Sequence, residues 1–310
     1  MMQEFKFGSI FKDLRVKRGL TQSIVANGIC THASQLSDFE NGIYCPDWSI
    51  FERLMQRLGE DPLPYYPDFM SQETHRVMNF KQTMKYNLHM KKKHESYALL
   101  EQAENDDAFK EGNARQFVLS SKAHLYFLGK DYDNAYVYAM KSIRITIPYY
   151  HEDEIAKYPL TLDEMVVIQL LALIYSITDS HEKSLDILLK LKESFYRNKY
   201  PFDTMESVRL EVSILYNIAK RLAVLGKTEE WLSICDEGIE FCREKEISHY
   251  MPLFLVTKAY YFLYLKKNDE GMILITDAIN TFKVFGRTKE ILKLKKNMKK
   301  NFGIEINYNV

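Results

Sequence analysis

Residues 34–42 read SQLSDFENG, and this stretch decides how the first part of the chain folds. Leu36 and Phe39 lie three apart, the spacing of one helix face. Asn41 and Gly42 tolerate positive φ and end that helix. Upstream, the chain turns after Gly28, and His32 or Thr31 can open the helix ASQLSDFEN. Before the turn, TQSIVAN at 21–27 predicts a short helix capped by Thr21, with Ile24 and Val25 inward. Earlier still, FGSIFKDLRVKRG at 7–19 places Ile10, Leu14 and Val16 near helical spacing, with Gly19 as the stop. Downstream, Asp47 caps WSIFERLMQRL at 48–58, and Gly59 and Pro62 stop it. Two short helices joined by a tight turn and framed by two more follow the helix-turn-helix plan.

The rest of the composition fits an all-α protein. Only 12 Gly and 8 Pro interrupt 310 residues, and these are the residues that break regular elements. Hydrophobic residues make up 46%, enough for a sizeable core, and the length suits two domains. No apolar run reaches about 18 residues and no leader pattern opens the chain, so a cytoplasmic protein without membrane contact is expected. The four cysteines, at 30, 45, 235 and 242, contain no C-x-x-C and signal neither a disulfide framework nor a zinc site. Cys235 and Cys242 share a helix face about 10 Å apart, too far to bridge. No H-E-x-x-H, G-x-S-x-G or P-loop occurs, so no enzyme and no cofactor is expected. HEDE at 151–154 reads as a solvated loop between helices.

The segment DPLPYYPD at 61–68 has three prolines and reads as extended. It sets the expected organisation: a helix-turn-helix domain over 1–66, a linker helix over 67–94, and a third segment over 95–310. The linker carries six Lys/Arg and three His from 75 to 94 with no acid. From about 95 the chain reads as stacked helix pairs. Four breaks stand out: GKDYDNA (129–135), TDSHEKS (178–184), GKTEEW (226–231) and KKNDEG (266–271). Each separates two amphipathic helices. Between Asp131, His181, Thr228 and Asp269 the spacings are 50, 47 and 41, longer and less even than the about 34 residues of a tetratricopeptide repeat. Ala123, Tyr126, Tyr132 and Ala135 stand where that repeat wants small residues and aromatics. The expected body is a degenerate tetratricopeptide-like solenoid whose inner face suits a peptide. Candidates on that face are Arg209, Tyr216, Asn217 and Lys220 on one helix and Tyr260, Tyr261 and Tyr264 on another. The basic ending, with Leu292, Leu294 and Met298 on an apolar side, caps the solenoid.

The N-terminal stretch resembles the lambda-repressor class of helix-turn-helix domains. The resemblance rests on L-R at 14–15, G-L-T-Q at 19–22, Ala26, S-Q-L-S at 34–37 and F-E-N-G at 39–42. It implies a partly buried pair between Arg15 and Glu40, and a DNA-backbone contact from Gln22. It also implies groove-facing positions at Ala33, Ser34, Ser37 and Asp38, since the start of such a helix reaches base edges. Arg15, Lys17 and Arg18 gather positive charge beside Gln22. Two departures stand out: Cys30 and Thr31 replace the usual Gly and apolar residue of the turn, and Asp38 stands where Arg or Lys is common. Asp38 can accept from cytosine N4 or form a surface pair. Residues 1–66 hold seven Lys/Arg and eight Asp/Glu, a net of −1, which is poor for phosphate neutralisation and favours a dimer on paired half-sites.

With the repeats added, the whole chain resembles the peptide-responsive quorum-sensing regulators of Gram-positive bacteria, the Rgg, PlcR and PrgX group. That resemblance implies a transcription regulator that binds double-stranded promoter DNA, forms a homodimer through its repeat domain, and is controlled by a short signalling peptide. The alternative is a helical-repeat protein-interaction regulator that does not bind DNA.

Overall fold

The computed structural model describes residues 7–65, 71–178, 180–198 and 204–306. All regular elements among these are helical, and they fall into two compact units, Met1–Lys85 and Tyr86–Val310.

The first unit opens with α1 (Phe7–Lys17), α2 (Gln22–Ala26), α3 (Ala33–Glu40) and α4 (Trp48–Arg57). The caps are the expected ones: Thr21 Oγ1 accepts from the Ile24 amide at 3.3 Å, and Asp47 Oδ1 from the Ile50 amide at 2.9 Å. His32 stands at the N-cap of α3 without a side-chain bond; Gln35 Oε1 instead accepts from the Thr31 amide at 3.0 Å. Phe11, Val25, Leu36, Phe39, Phe51, Leu54 and Met55 form the core.

Three expected inward residues face solvent: Ile10 is 42% exposed, Ile24 52% and Val16 59%. On α1 the buried stripe is Gly8, Phe11 and Arg15, one helical face displaced from the one the aliphatics suggested. The reason is backbone contact. A Cβ on Gly8 would sit 1.9 Å from the Phe39 carbonyl oxygen, so α1 lies directly on the C-terminal turn of α3. The proline-rich stretch also departs from expectation. Its described part ends in a 3-10 turn, and Tyr65 stacks edge-on against Phe7 and Phe51, both at 5.9 Å. Tyr66, Pro67 and Asp68 lie outside the described residues. The expected linker helix over 67–94 is here α5 (Gln72–His89), and α6 (Lys93–Glu104) begins after a break of three residues, Met90, Lys91 and Lys92.

The second unit continues with α7 (Gly112–Leu128), α8 (Tyr132–Thr146), α9 (Leu162–Tyr175), α10 (His181–Asn198), α11 (Met205–Leu225), α12 (Thr228–Glu244), α13 (Met251–Tyr264), α14 (Asn268–Val284) and α15 (Thr288–Phe302). All four expected breaks fall inside hairpins, between α7 and α8, α9 and α10, α11 and α12, and α13 and α14. Each helix packs on the next, and α7, α9, α11 and α13 also touch in succession. The odd-numbered helices therefore make one layer and the even-numbered helices the other. Ala123, Ala135 and Ala139 are fully buried where α7 meets α8, while Tyr132 packs edge-on to Phe127 and Tyr126 stacks on Tyr138 at 5.2 Å. HEDE lies solvated between α8 and α9 as expected, but it opens a 3-10 segment, Glu152–Lys157, rather than an irregular loop; Ile155 is fully buried, and Glu152, Asp153 and Glu154 pair with Lys183, Lys190 and Lys157.

The turns after α7, α11, α13 and α14 share one backbone device. A left-handed residue follows the helix, and the next amide reaches back five residues to a helix carbonyl. Asp131 bonds to Tyr126 O at 3.0 Å, Lys227 to Leu222 O at 3.1 Å, Lys267 to Phe262 O at 2.9 Å and Arg287 to Phe282 O at 2.8 Å. This is the long bond of the Schellman closure, which satisfies carbonyls that the helix leaves open. Glycine supplies positive φ at 226 and 286, but Lys91, Lys130, Glu246 and Lys266 adopt it as well. For an L-residue this conformation costs about 1–2 kcal/mol.

Two stability outcomes follow from these contacts. Gly8→Ala forces α1 off α3 and should lower the unfolding free energy of the first unit by about 1–3 kcal/mol or more, leaving the transition of the second unit in place. Lys266→Gly relieves the left-handed strain and should raise the unfolding free energy of the second unit by about 1 kcal/mol at most after glycine's entropy is counted, seen as a higher denaturant midpoint. Denaturant unfolding followed by separate probes of the two units checks both.

Candidate functional site

The first unit is organised around one carboxylate. Glu40, 4% exposed, receives Arg15 Nε at 2.5 Å on Oε1 and Arg15 Nη2 at 2.7 Å on Oε2. Gln22 Nε2 donates to the same Oε2 at 2.8 Å, and Arg15 Nη1 reaches the Leu20 carbonyl at 2.7 Å. Three helices and the turn between two of them thus meet on a single side chain. The bonds from Glu40 hold the Arg15 guanidinium protonated, above its ordinary value. Arg15 was expected both as strut and as DNA contact; its buried fork leaves it the strut. Gln22 has likewise given its amide to the clasp.

The other cations of this unit are largely engaged too. Arg18 pairs with Glu60. Arg53 Nη2 donates to the Gly28 carbonyl at 2.5 Å, and Arg57 donates to the carbonyls of Ile24 and Asn27 at 3.1 and 3.2 Å. These two arginines of α4 close the C-terminal end of α2 and fix the turn that aims α3. Lys12 and Lys17 remain exposed. On α3, Ala33 is the first residue, Ser34 is exposed, and Ser37 and Asp38 are half-exposed. Ser34, Ser37, Asp38 and Asn41 are spaced along one face; Asn41 Nδ2 donates to Ser37 Oγ at 3.4 Å. Arg53 and Arg57 were missed from sequence. Their signal was present, since both lie on the helix packed against α2, but charge alone did not tell a carbonyl cap from a phosphate ligand.

The second unit carries a groove on its odd-numbered layer. One cavity of about 520 Å³ is lined by Phe127, Leu173, Ile177, His181, Asn217, Lys220, Arg221 and Val224, among others. A second, of about 360 Å³, is lined by Tyr216, Lys220, Val224, Val256, Tyr260, Glu290, Lys293 and neighbours. Lys220 and Val224 belong to both, so the two run together along α11. Of the seven peptide candidates, Tyr216, Asn217, Lys220 and Tyr260 line this groove. Arg209, Tyr261 and Tyr264 do not. Arg209 and Tyr264 are exposed, and Tyr261 turns edge-on to Trp231 at 5.6 Å, toward the even-numbered layer. Val256, Thr257 and Tyr260 mark the inward stripe of α13; Tyr261 lies off it, and Tyr264 follows it one turn further, at the end of the helix and beyond the cavity lining. Lys220 Nζ lies 5.7 Å from the centre of the Tyr216 ring. Arg221, His181 and Lys293 were missed from sequence. All four cysteines are free; burial pushes the Cys235 and Cys242 thiols up to about 12.

Residues 6–63 match the family model described as a helix-turn-helix domain. No curated protein matches the chain by sequence. Among solved structures, the chain has the fold of Bacillus thuringiensis PlcR in complex with the peptide PapR7 and DNA. The TM-score is 0.68 at 20% identity, over 94% of this chain and 99% of that one. Streptococcus dysgalactiae Rgg2, an SHP pheromone receptor, aligns with a TM-score of 0.62 at 14% identity, over 95% and 99%. ComR of S. thermophilus, in complex with DNA and its signalling peptide ComS, aligns at 0.59 with 15% identity, over 96% and 100%. The architecture is therefore all-α, a helix-turn-helix domain joined to a repeat-like helical body, and it is the fold of these peptide-responsive regulators.

Glu40→Ala strands the Arg15 charge. The first unit should lose about 3–5 kcal/mol, and Arg15→Met combined with Glu40→Leu should restore much of it. A double-mutant cycle measured by chemical denaturation checks the coupling.

Proposed function

We propose that this chain is a cytoplasmic, homodimeric transcription regulator that reads promoter DNA through α3 and is controlled by a short peptide held in the groove of its second unit. The observation that carries the DNA half is the presentation of α3. Its C-terminal end is locked by the Glu40 clasp, while the exposed Ser34 and half-exposed Ser37 and Asp38 stand on its free side. A rigid helix with short polar side chains near its start can lie close to base edges, because such side chains let the backbone approach. Support also comes from PlcR and ComR, whose structures hold DNA together with a signalling peptide.

The electrostatics favour a dimer. Four of the arginines of the first unit are committed to internal partners, which leaves few cations for phosphates. One such domain gains little from counterion release, and two on paired half-sites gain twice as much. We propose dimerisation through the second unit, with peptide binding biasing two arrangements of the dimer. Such a switch requires differential peptide affinity for the two arrangements, and DNA must change peptide affinity by the same factor. The rival, a repeat protein that binds only other proteins, leaves the exposed polar face of α3 without a role.

A duplex selected by the full chain from a randomised pool should bind with a logarithmic salt slope on the order of −4 for a dimer, about two phosphates per domain. Ser34→Ala should weaken that duplex by roughly tenfold and leave the slope unchanged. If Ser34→Ala and Ser37→Ala both bind as the parent does, α3 is not the reading helix.

A further inference from the structure

Two arginines in this protein are equally buried, each 8% exposed, and their surroundings differ. Arg15 is met by the carboxylate of Glu40. Arg221 is met by none among the described residues: its contacts are His181 Nδ1 at 3.0 Å and the Ser176 carbonyl at 3.5 Å, both from Nη1. A guanidinium has five N–H donors in a planar fork, so most of this fork is unused. It forms part of the wall of the larger cavity. Beside it stands Lys220, shared by both cavities, and Lys293 lines the second. The acid in the groove lining, Glu290, is paired with Arg287 at 3.2 Å. Among the described residues the groove thus holds three cations, and the acid in its lining is paired with Arg287 rather than with any of them.

A buried, unneutralised guanidinium is unfavourable in a finished fold, since removing charge from water requires a partner. Retaining one at the wall of an open cavity fits a partner that arrives from outside. We propose that Arg221, with Lys220 and Lys293, is the anchor for a carboxylate of the bound peptide. The planar fork matches a carboxylate in two parallel hydrogen bonds, and the two lysines add point charges along the groove. The crowding of like charge is consistent with this: burial first, then the nearby Arg221 and Lys293, hold Lys220 below the usual lysine range. The carboxylate belongs either to the peptide's C-terminus or to an acidic side chain, and both present the same chemistry to the fork. The apolar walls, Phe127, Leu173, Val224 and Val256, then take the flanking side chains.

This proposal rests on the peptide reading, and one retention experiment separates the two. Full-length protein is incubated with three randomised heptapeptide pools, and retained peptides are identified by mass spectrometry. The first pool has free C-termini and lacks Asp and Glu, the second is amidated and contains them, and the third is amidated and lacks them. The first or the second should be enriched on the order of 10- to 100-fold over the third, and which of the two is enriched identifies the source of the carboxylate. Equal retention of all three overturns the anchor and leaves the peptide reading standing; no retention of any pool overturns both. Arg221→Met should abolish the enrichment while melting at the same or a higher temperature, because it removes an unpaired buried charge. A lower melting temperature would make Arg221 a structural residue and overturn the proposal. Lys220→Gln should reduce the enrichment severalfold and leave the melting temperature in place; unchanged enrichment in both variants also overturns it.

Discussion

The left-handed residue at the end of a helix is the constraint on which this architecture depends. Among the described residues, eleven helix ends place a residue of positive φ just past the helix, and in nine of them the following amide bonds to a carbonyl five residues back. The bond satisfies the last carbonyls and turns the chain in a fixed direction. Because the same turn recurs, successive hairpins meet in the same way and fall into two layers. Uneven helix lengths, from the 14 residues of α9 to the 21 of α11, are tolerated because the turn, rather than the repeat length, sets the geometry.

A second constraint, local to the first unit, is the buried carboxylate of Glu40. It gathers α1, α2 and α3 by hydrogen bonds whose loss would leave charge stranded in the core. The arginines of α4 complete this arrangement by covering the open carbonyls of α2. The consequence is economical for shape and unfavourable for charge: the cations that give the unit its rigidity are withdrawn from any phosphate. A unit built this way holds α3 firmly and keeps few cations free; under the proposed function, that is the physical reason for pairing two copies.

The groove of the second unit inverts that pattern. Arg15 and Arg221 show what the same side chain does with and without a carboxylate at equal burial. The first is finished and serves the fold. The second is unfinished, and its natural reading is a contact kept open for a ligand. The layering makes this possible, because the odd-numbered helices line a continuous face on which side chains from α7, α9, α11, α13 and α15 converge from distant parts of the sequence.

Much of the fold was legible in sequence because its determinants are local. Thr21 and Asp47 declare helix starts through their own side chains, glycines 19, 42, 59 and 226 declare stops through φ, and the four hairpin breaks follow from composition. The motif around SQLSDFENG announced the helix-turn-helix domain, and helical spacing singled out Tyr216, Asn217, Lys220 and Tyr260, which line the groove. Four left-handed turns went unread because Lys and Glu there bear a strain that nothing in their identity announces. The rest was decided by tertiary structure. Whether Gly8 touches Phe39, whether Tyr65 joins an aromatic core, and whether an arginine meets a carboxylate, a carbonyl or an empty cavity all depend on residues 20 to 60 positions away. Charge is written in the sequence. Its neutralisation is a property of distance and burial, and only the folded chain sets those.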